Sequence, residues 1–234
     1  MLRVLDILCS GVRMMREMRE INLTSELPKR VSRPSRDVSE CDVATAREFG
    51  REYFDGTRAQ GYGGYYYDGR WVPVARTIVD YFNLAPNDRV LDVGCAKGFL
   101  IHDLTDACSG LEVWGLDISQ YAIKNAHEDA CDRIVRGCAA RLPFADASFA
   151  CTLAINVVHN LERDDCVRAV REIERVSGGR AYIQVDAWRS EGEHRAMLDW
   201  VLTARTLGDC GFWRDLFREA GYTGAYYWTI MENS

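Results

Sequence analysis

The residues best placed to do chemistry fall in four stretches of the chain. The first, residues 89–100, reads Arg-Val-Leu-Asp-Val-Gly-Cys-Ala-Lys-Gly-Phe-Leu, an acid followed by a loop bounded by Gly94 and Gly98. Glycine permits the sharp turn of such a loop. A helix starting just beyond it would aim unpaired N–H groups and partial positive charge at a bound carboxylate or phosphate. The second is Asp117, at the end of the apolar run 111–116, where a carboxylate can accept hydrogen bonds from both hydroxyls of a cis-diol such as ribose. The third is His159, between Asn156 and Asn160, a candidate general base because imidazole titrates near neutrality. Asp186, closing the apolar run 181–185, is the fourth, a second candidate base or a binder of a substrate amine.

Those positions require strands that end where the reactive groups begin. Apolar runs and helical spacing predict strands at 90–93, 111–116, 132–136, 149–155, 180–185 and 225–231. Between them, helices are expected to start near 99 and to cover 121–129, 164–176, 191–205 and 212–220, with another at 74–82 ahead of the first strand. Strands alternating with helices make an α/β fold with a mostly parallel sheet, and ligands of such sheets bind outside the carboxyl ends of the strands. Residues 53–71 break the pattern with closely spaced glycines and aromatics. Each glycine inside a helix would cost about 1 kcal/mol. The segment therefore reads as a loop or lid.

The chain has 234 residues, a formal charge of −6 and a pI near 5.3, which offers no broad basic surface to a phosphate backbone and argues against nucleic acid as a partner. Its nine cysteines are odd in number and form no C-x-x-C pair, which suits a reduced, cytoplasmic protein without a metal cluster. Residues 1–43 read as an N-terminal extension, a mobile or helical arm with a marginal amphipathic helix at 14–23. The apolar start is too short for a membrane span. Residues 44–234 read as one domain, with 44–85 supplying a lid and N-terminal helices and 86–234 the core. His102, His127 and His194 are assigned no chemistry.

The glycine loop does not fit the G-x-G-x-x-G register of dinucleotide sites. It resembles motif I, D/E-x-G-x-G-x-G, of the class I S-adenosylmethionine (SAM) dependent methyltransferases, with Ala96 in place of the middle glycine and strained if its φ is positive. Residues 115–119, Gly-Leu-Asp-Ile-Ser, resemble that family's G-x-D-x-S. Residues 137–149 resemble G-D-A-x-x-L-P-F-x-D-x-S-F of its small-molecule members, with Cys138 in place of the acid. The resemblance spans residues 71–230 and implies a three-layer α/β/α Rossmann-like fold holding SAM, with S-adenosylhomocysteine as product. It implies cofactor contacts from Asp92, Gly94, Cys95, Ala96, Gly98, Asp117, Ile118, Cys138, Ala139 and Asn156, with Ile118 on the adenine face, and acceptor contacts from Tyr65, Tyr66, Tyr67, Arg70 and Trp71 of the lid and from Asn160. Aromatic lid faces would suit a sulfonium or a cationic amine.

The D/N-P-P-Y/F motif of nucleic-acid amino-methyltransferases is absent from the fourth strand. The expected reaction is in-line methyl transfer to an O or N nucleophile of a small molecule. Residues 62–71, 90–100, 159–161 and 221–226 also resemble a subgroup of bacterial methyltransferases, which implies a natural-product or carbohydrate pathway. Homodimerisation is left open. A nicotinamide-dependent oxidoreductase and a non-catalytic SAM-binding protein are the alternatives. Complete members close the sheet with a hairpin, and one of its strands has no obvious source here beyond residues 201–203.

Overall fold

The computed structural model describes residues 17–28 and 38–231. Its strands among these are β1 (Arg19–Glu20), β2 (Arg89–Val93), β3 (Glu112–Asp117), β4 (Ile134–Arg136), β5 (Cys151–Ile155), β6 (Ala181–Asp186) and β7 (Ala225–Thr229). The helices are α1 (Glu40–Ala46), α2 (Arg51–Asp55), α3 (Val72–Phe82), α4 (Phe99–Ala107), α5 (Gln120–Lys124), α6 (Arg163–Ser177), α7 (Glu191–Trp200) and α8 (Cys210–Ala220). The strands form one sheet in the order β1-β7-β6-β5-β2-β3-β4, and every pairing is parallel.

Side chains alternate across a strand, so a sheet buried on both faces needs apolar residues at odd and even positions. In β2, Val90 joins a core with Ile78 of α3 and Ile101 of α4, whereas Leu91 and Val93 join another with Ile173 of α6 and Trp213 of α8. In β6, Tyr182 faces the α3–α4 layer and Ile183 the α6–α8 layer. The result is the α/β fold with a parallel sheet that the alternation of elements implied, in the three-layer α/β/α, Rossmann-like form that the resemblance implied.

The structure departs from the sequence expectations at four elements. The edge of the sheet is not a C-terminal hairpin, and residues 201–203 form no strand. The edge strand comes instead from the N-terminal segment, where Arg19 N donates to Gly224 O at 3.1 Å and Ile21 N to Tyr226 O at 2.9 Å. Residues 17–23, expected to continue a helix from 14, are therefore extended, and Leu23 is buried in the α3–α4 core; residues 14–16 lie outside the described residues. The helix expected at 121–129 stops at Lys124, and the chain beyond it serves the glycine loop, His127 N donating to Lys97 O at 2.8 Å. The helix expected to reach 205 stops at Trp200, because Arg205 N and Thr206 N fold back to donate to the His159 carbonyl at 3.0 and 3.1 Å.

Candidate functional site

The turn after β2 is held by the end of β3. Gly94 N and Cys95 N donate to Leu116 O at 2.7 and 3.2 Å, and Ala96 N donates to Asp117 Oδ2 at 2.7 Å. Ser119 N donates to Asp117 Oδ1 at 2.7 Å, so both carboxylate oxygens are anchored by backbone donors. Gly94 sits at φ +76°, and a Cβ there would meet Val157 Cγ2 at 2.5 Å. Ala96 has φ +51°, so the strain foreseen for an alanine at this place is present. Gly98 begins α4 in the same left-handed region.

A cavity of about 530 Å³ opens beyond these strand ends, lined by Asp92, Gly94, Cys95, Ala96, Asp117, Ile118, Cys138, Ala139, Asn156 and Asn160. The structure thus brings together every residue of the expected cofactor set except Gly98, which shapes the turn from behind. Ile118 is 52 % exposed, an apolar side chain offered at the rim. Asp92 and Asp117 are both buried, and neither pairs with a cation among the described residues. Burial, and then the charge of Asp117, push the Asp92 carboxyl up to about 7. Burial also raises Asp117, against the lowering effect of its bonds from Ser119, Ala96 and Ile118. Two desolvated acids beside the loop disfavour a phosphate and favour a cationic ligand.

A second cavity, of about 460 Å³, shares Tyr53, Tyr62, Tyr65, Trp71 and Asn156 with the first and is also lined by His159, Asp186, Arg70 and Trp200. At its floor the two expected bases are bound to each other. Asp186 N donates to His159 Nδ1 at 3.0 Å, and His159 Nε2 lies 3.4 Å from Asp186 Oδ2. The Nδ1 lone pair is occupied, so the ring proton of neutral His159 is assigned to Nε2, facing the carboxylate. That geometry leaves His159 poorly arranged to take a proton from a third molecule. Asp186 Oδ1 is buried without a hydrogen-bond partner among the described residues, an expensive condition unless a ligand satisfies it.

The segment between Tyr53 and Trp71 is held in place by Lys97 and Asp55, which the sequence did not single out. Lys97 Nζ, inside the glycine loop, donates to Asp55 Oδ1 and Oδ2 at 2.9 and 2.7 Å and to Tyr65 O at 2.8 Å. Tyr121 Oη donates to Asp55 Oδ2 at 2.7 Å, and Tyr65 N to Asp55 Oδ1 at 3.0 Å. Burial works to raise the Asp55 carboxyl, but these bonds outweigh it and the pKa is lowered. Tyr65 stacks on Phe99 at 5.0 Å between ring centroids. Lys97 lay in plain sight in the motif, but its partner is distant in sequence.

Two of the expected lid contacts are corrected. Tyr66 is 73 % exposed and lines neither cavity. Tyr67 turns onto α4, its hydroxyl donating to Asp103 Oδ1 at 2.6 Å, which raises the phenol to about 12. Arg70 lines the second cavity while paired with Asp68. Asn160 donates to Asn156 O at 3.4 Å, and its Oδ1 is buried without a partner.

Known proteins support the fold that this geometry displays. Residues 91–183 match the family described as a methyltransferase domain. A candidate methyltransferase of Encephalitozoon cuniculi is 33% identical over 132 residues, covering 53% of this chain and 56% of its own. The 2-ketoarginine methyltransferase of Streptomyces arginensis is 29% identical over 171 residues, covering 64% of this chain and 50% of its own. The chain thus spans about half the length of the curated relatives it matches. Among solved structures, a chain from the complex of the Haloferax volcanii Trm112 methyltransferase activator with a methyltransferase aligns with a TM-score of 0.50 and 20% identity, over 64% of this chain and 67% of that one.

Proposed function

We propose, from the premise that this chain carries a methyltransferase domain of the class I, SAM-dependent type, that it moves a methyl group to an oxygen or nitrogen of a small-molecule acceptor. The observation that carries the reading is the pair of cavities meeting at one aromatic wall, with two cation-lacking acids in the first and an unsatisfied carboxylate oxygen in the second. The first cavity fits a cationic cofactor. Asp117 would accept from the ribose hydroxyls, Ile118 would cover the base, and Asp92 would lie near positive charge. When bound, SAM supplies an activated methyl on a sulfonium, so the protein's task is chiefly positioning.

In the second cavity, Asp186 Oδ1 is the group placed to accept the proton of an acceptor hydroxyl or amine, while His159 fixes the carboxylate through Oδ2 and the backbone N–H. The expected order of the two bases is thereby reversed: Asp186 is the candidate base and His159 a positioning residue. Tyr53, Tyr62, Tyr65, Trp71 and Trp200 exclude water and provide flat apolar surface for the acceptor. The relatives include a 2-ketoarginine methyltransferase and a botryococcene C-methyltransferase, so the acceptor does not carry over by likeness. A place in a bacterial biosynthetic pathway and a cytoplasmic location belong to the same reading.

Calorimetry of the full chain with SAM, S-adenosylhomocysteine and NADH tests it. Binding of the first two and not the third is the expected result; NADH binding alone would overturn it in favour of an oxidoreductase. Methyl transfer from labelled SAM to an acceptor library, lost in Asp186→Asn, tests the assignment of the base.

A further inference from the structure

We infer that His102, His127 and Asp129 form a divalent metal site outside both cavities, of the imidazole–carboxylate kind that takes Zn²⁺, Co²⁺ or Ni²⁺. One ligand atom from each lies within 4.8 Å of the others. Asp129 Oδ2 is 2.8 Å from His102 Nδ1 and 3.6 Å from His127 Nδ1. Two ligands at about 2.0–2.1 Å from a tetrahedral metal lie roughly 3.3 Å apart, so small side-chain rotations bring these three to one centre.

Three further features favour a metal over an ordinary ion pair. His102 Nδ1 is buried and close to the carboxylate, yet lacks the alignment of a hydrogen bond and counts as unsatisfied. A metal would satisfy that nitrogen once Asp129 Oδ2 moves out from 2.8 Å to roughly 3.3 Å, the separation of two ligands on one tetrahedral ion. The other nitrogen of His102, Nε2, lies 3.7 Å from Asp106 Oδ2, longer than a hydrogen bond but within a side-chain rotation of the carboxylate–histidine pairing that orients ligating imidazoles. The two rings are stacked at 4.1 Å and 27°, and the edge of Tyr67 covers both, at 5.1 and 5.2 Å, so the donors are held on one side. Three protein ligands leave one position for water.

The position gives the site a purpose. His102 is on α4, the helix that begins at the glycine loop, and His127 N holds the Lys97 carbonyl of that loop. Lys97 in turn holds the lid through Asp55 and the Tyr65 carbonyl. A metal here would brace the cofactor loop and the lid from behind without touching either cavity.

The test is a Co²⁺ titration of the reduced full-length protein, read by visible ligand-field bands, beside thermal melts with and without the ion. One equivalent should bind with nitrogen–oxygen bands and no sulfur charge-transfer absorption, and raise the melting temperature. His102→Ala, His127→Ala and Asp129→Asn should each weaken binding at least tenfold and abolish the thermal shift. Asp129 is more than half exposed, so Asp129→Asn tests the site even if a histidine variant fails to fold. Absence of bands, sulfur charge transfer from the cysteines, or unaltered binding in Asp129→Asn would overturn the proposal.

Discussion

The two cavities share a wall but were assembled by different means. The floor of the first is local: Asp92, Gly94, Ala96, Asp117, Ile118, Cys138 and Ala139 sit at or just beyond the carboxyl ends of neighbouring strands β2, β3 and β4. The wall it shares with the second comes from the segment between Tyr53 and Trp71, joined on the first cavity's side by residues 47–49, Glu162 and Arg205. The second is remote, drawing His159, Asp186, Trp200 and the residues between Tyr53 and Trp71 from separate parts of the chain. A site that follows from strand order tolerates change in the lid, whereas one made by converging segments depends on what holds them. The holding groups here include Lys97 on Asp55, and Arg205 and Thr206 on the His159 carbonyl.

Variants that strike one cavity and spare the other would break or sharpen that contrast. The largest effect is expected from Asp186→Asn, which should lower turnover by about 10²–10⁴ while leaving SAM affinity within a few-fold, as calorimetry and single-turnover assays would show. Equal loss of binding and turnover would mean that the two cavities act as one. Asp117→Ala should do the opposite, weakening SAM binding by about 10–100-fold through loss of hydrogen bonds to a charged group. Retained affinity would remove Asp117 from the cofactor site.

The pH dependence of SAM binding belongs to the first cavity alone. Because Asp92 sits near 7 in the folded protein, a cationic ligand should bind more tightly as pH rises through about 7, where the carboxylate becomes charged. The same raised pKa makes the folded chain hold a proton between about 4 and 7 that the unfolded chain has lost. Its contribution to stability is therefore full below about pH 4 and is lost as pH rises toward 7. Asp92→Asn should flatten both profiles, measured by calorimetry and by chemical denaturation across that range.

A smaller effect tests how the N-terminal segment reaches the site. Thr24 Oγ1 donates to Gln184 Oε1 at 2.7 Å, Gln184 Nε2 to Thr229 Oγ1 at 2.9 Å, and Thr229 Oγ1 to Asn156 Oδ1 at 2.7 Å. This buried chain runs from beside the edge strand to a residue that lines both cavities. Thr24→Val should cost about 0.5–1.5 kcal/mol in denaturant unfolding, the worth of one hydrogen bond, because Tyr182 Oη still donates to Gln184 Oε1 at 2.7 Å. The smallest effect is Ala96→Gly. Relief of about 1–2 kcal/mol of left-handed strain is offset by about 0.5–1 kcal/mol of added unfolded-state entropy, so stability should rise by about 1 kcal/mol or less.

How much could be read in advance differs between particular residues for physical reasons. Asp92, Gly94, Asp117 and Cys138 were legible because strand, turn and helix signals are local, and side-chain position follows from the strand ends. Lys97 and Asp55 were not, since an ion pair between residues distant in sequence leaves no mark on either. Tyr66 and Tyr67 looked equivalent to Tyr65; Tyr65 and Tyr67 both pack on Phe99, but the Tyr67 hydroxyl is taken by Asp103 and Tyr66 stays exposed.

By itself the sequence determined the alternating α/β fold, the acids and glycines at the strand ends and a glycine-broken aromatic segment ahead of the first strand, because periodicity and glycine chemistry act over a few residues. The tertiary structure alone decided that Arg19–Glu20 completes the sheet, a two-residue exposed strand with no hydrophobic pattern to betray it. It also decided that His159 and Asp186 meet, and that His102 and His127 stack. Each of those outcomes rests on contacts between segments far apart in the chain, which fix themselves only when the whole core has closed.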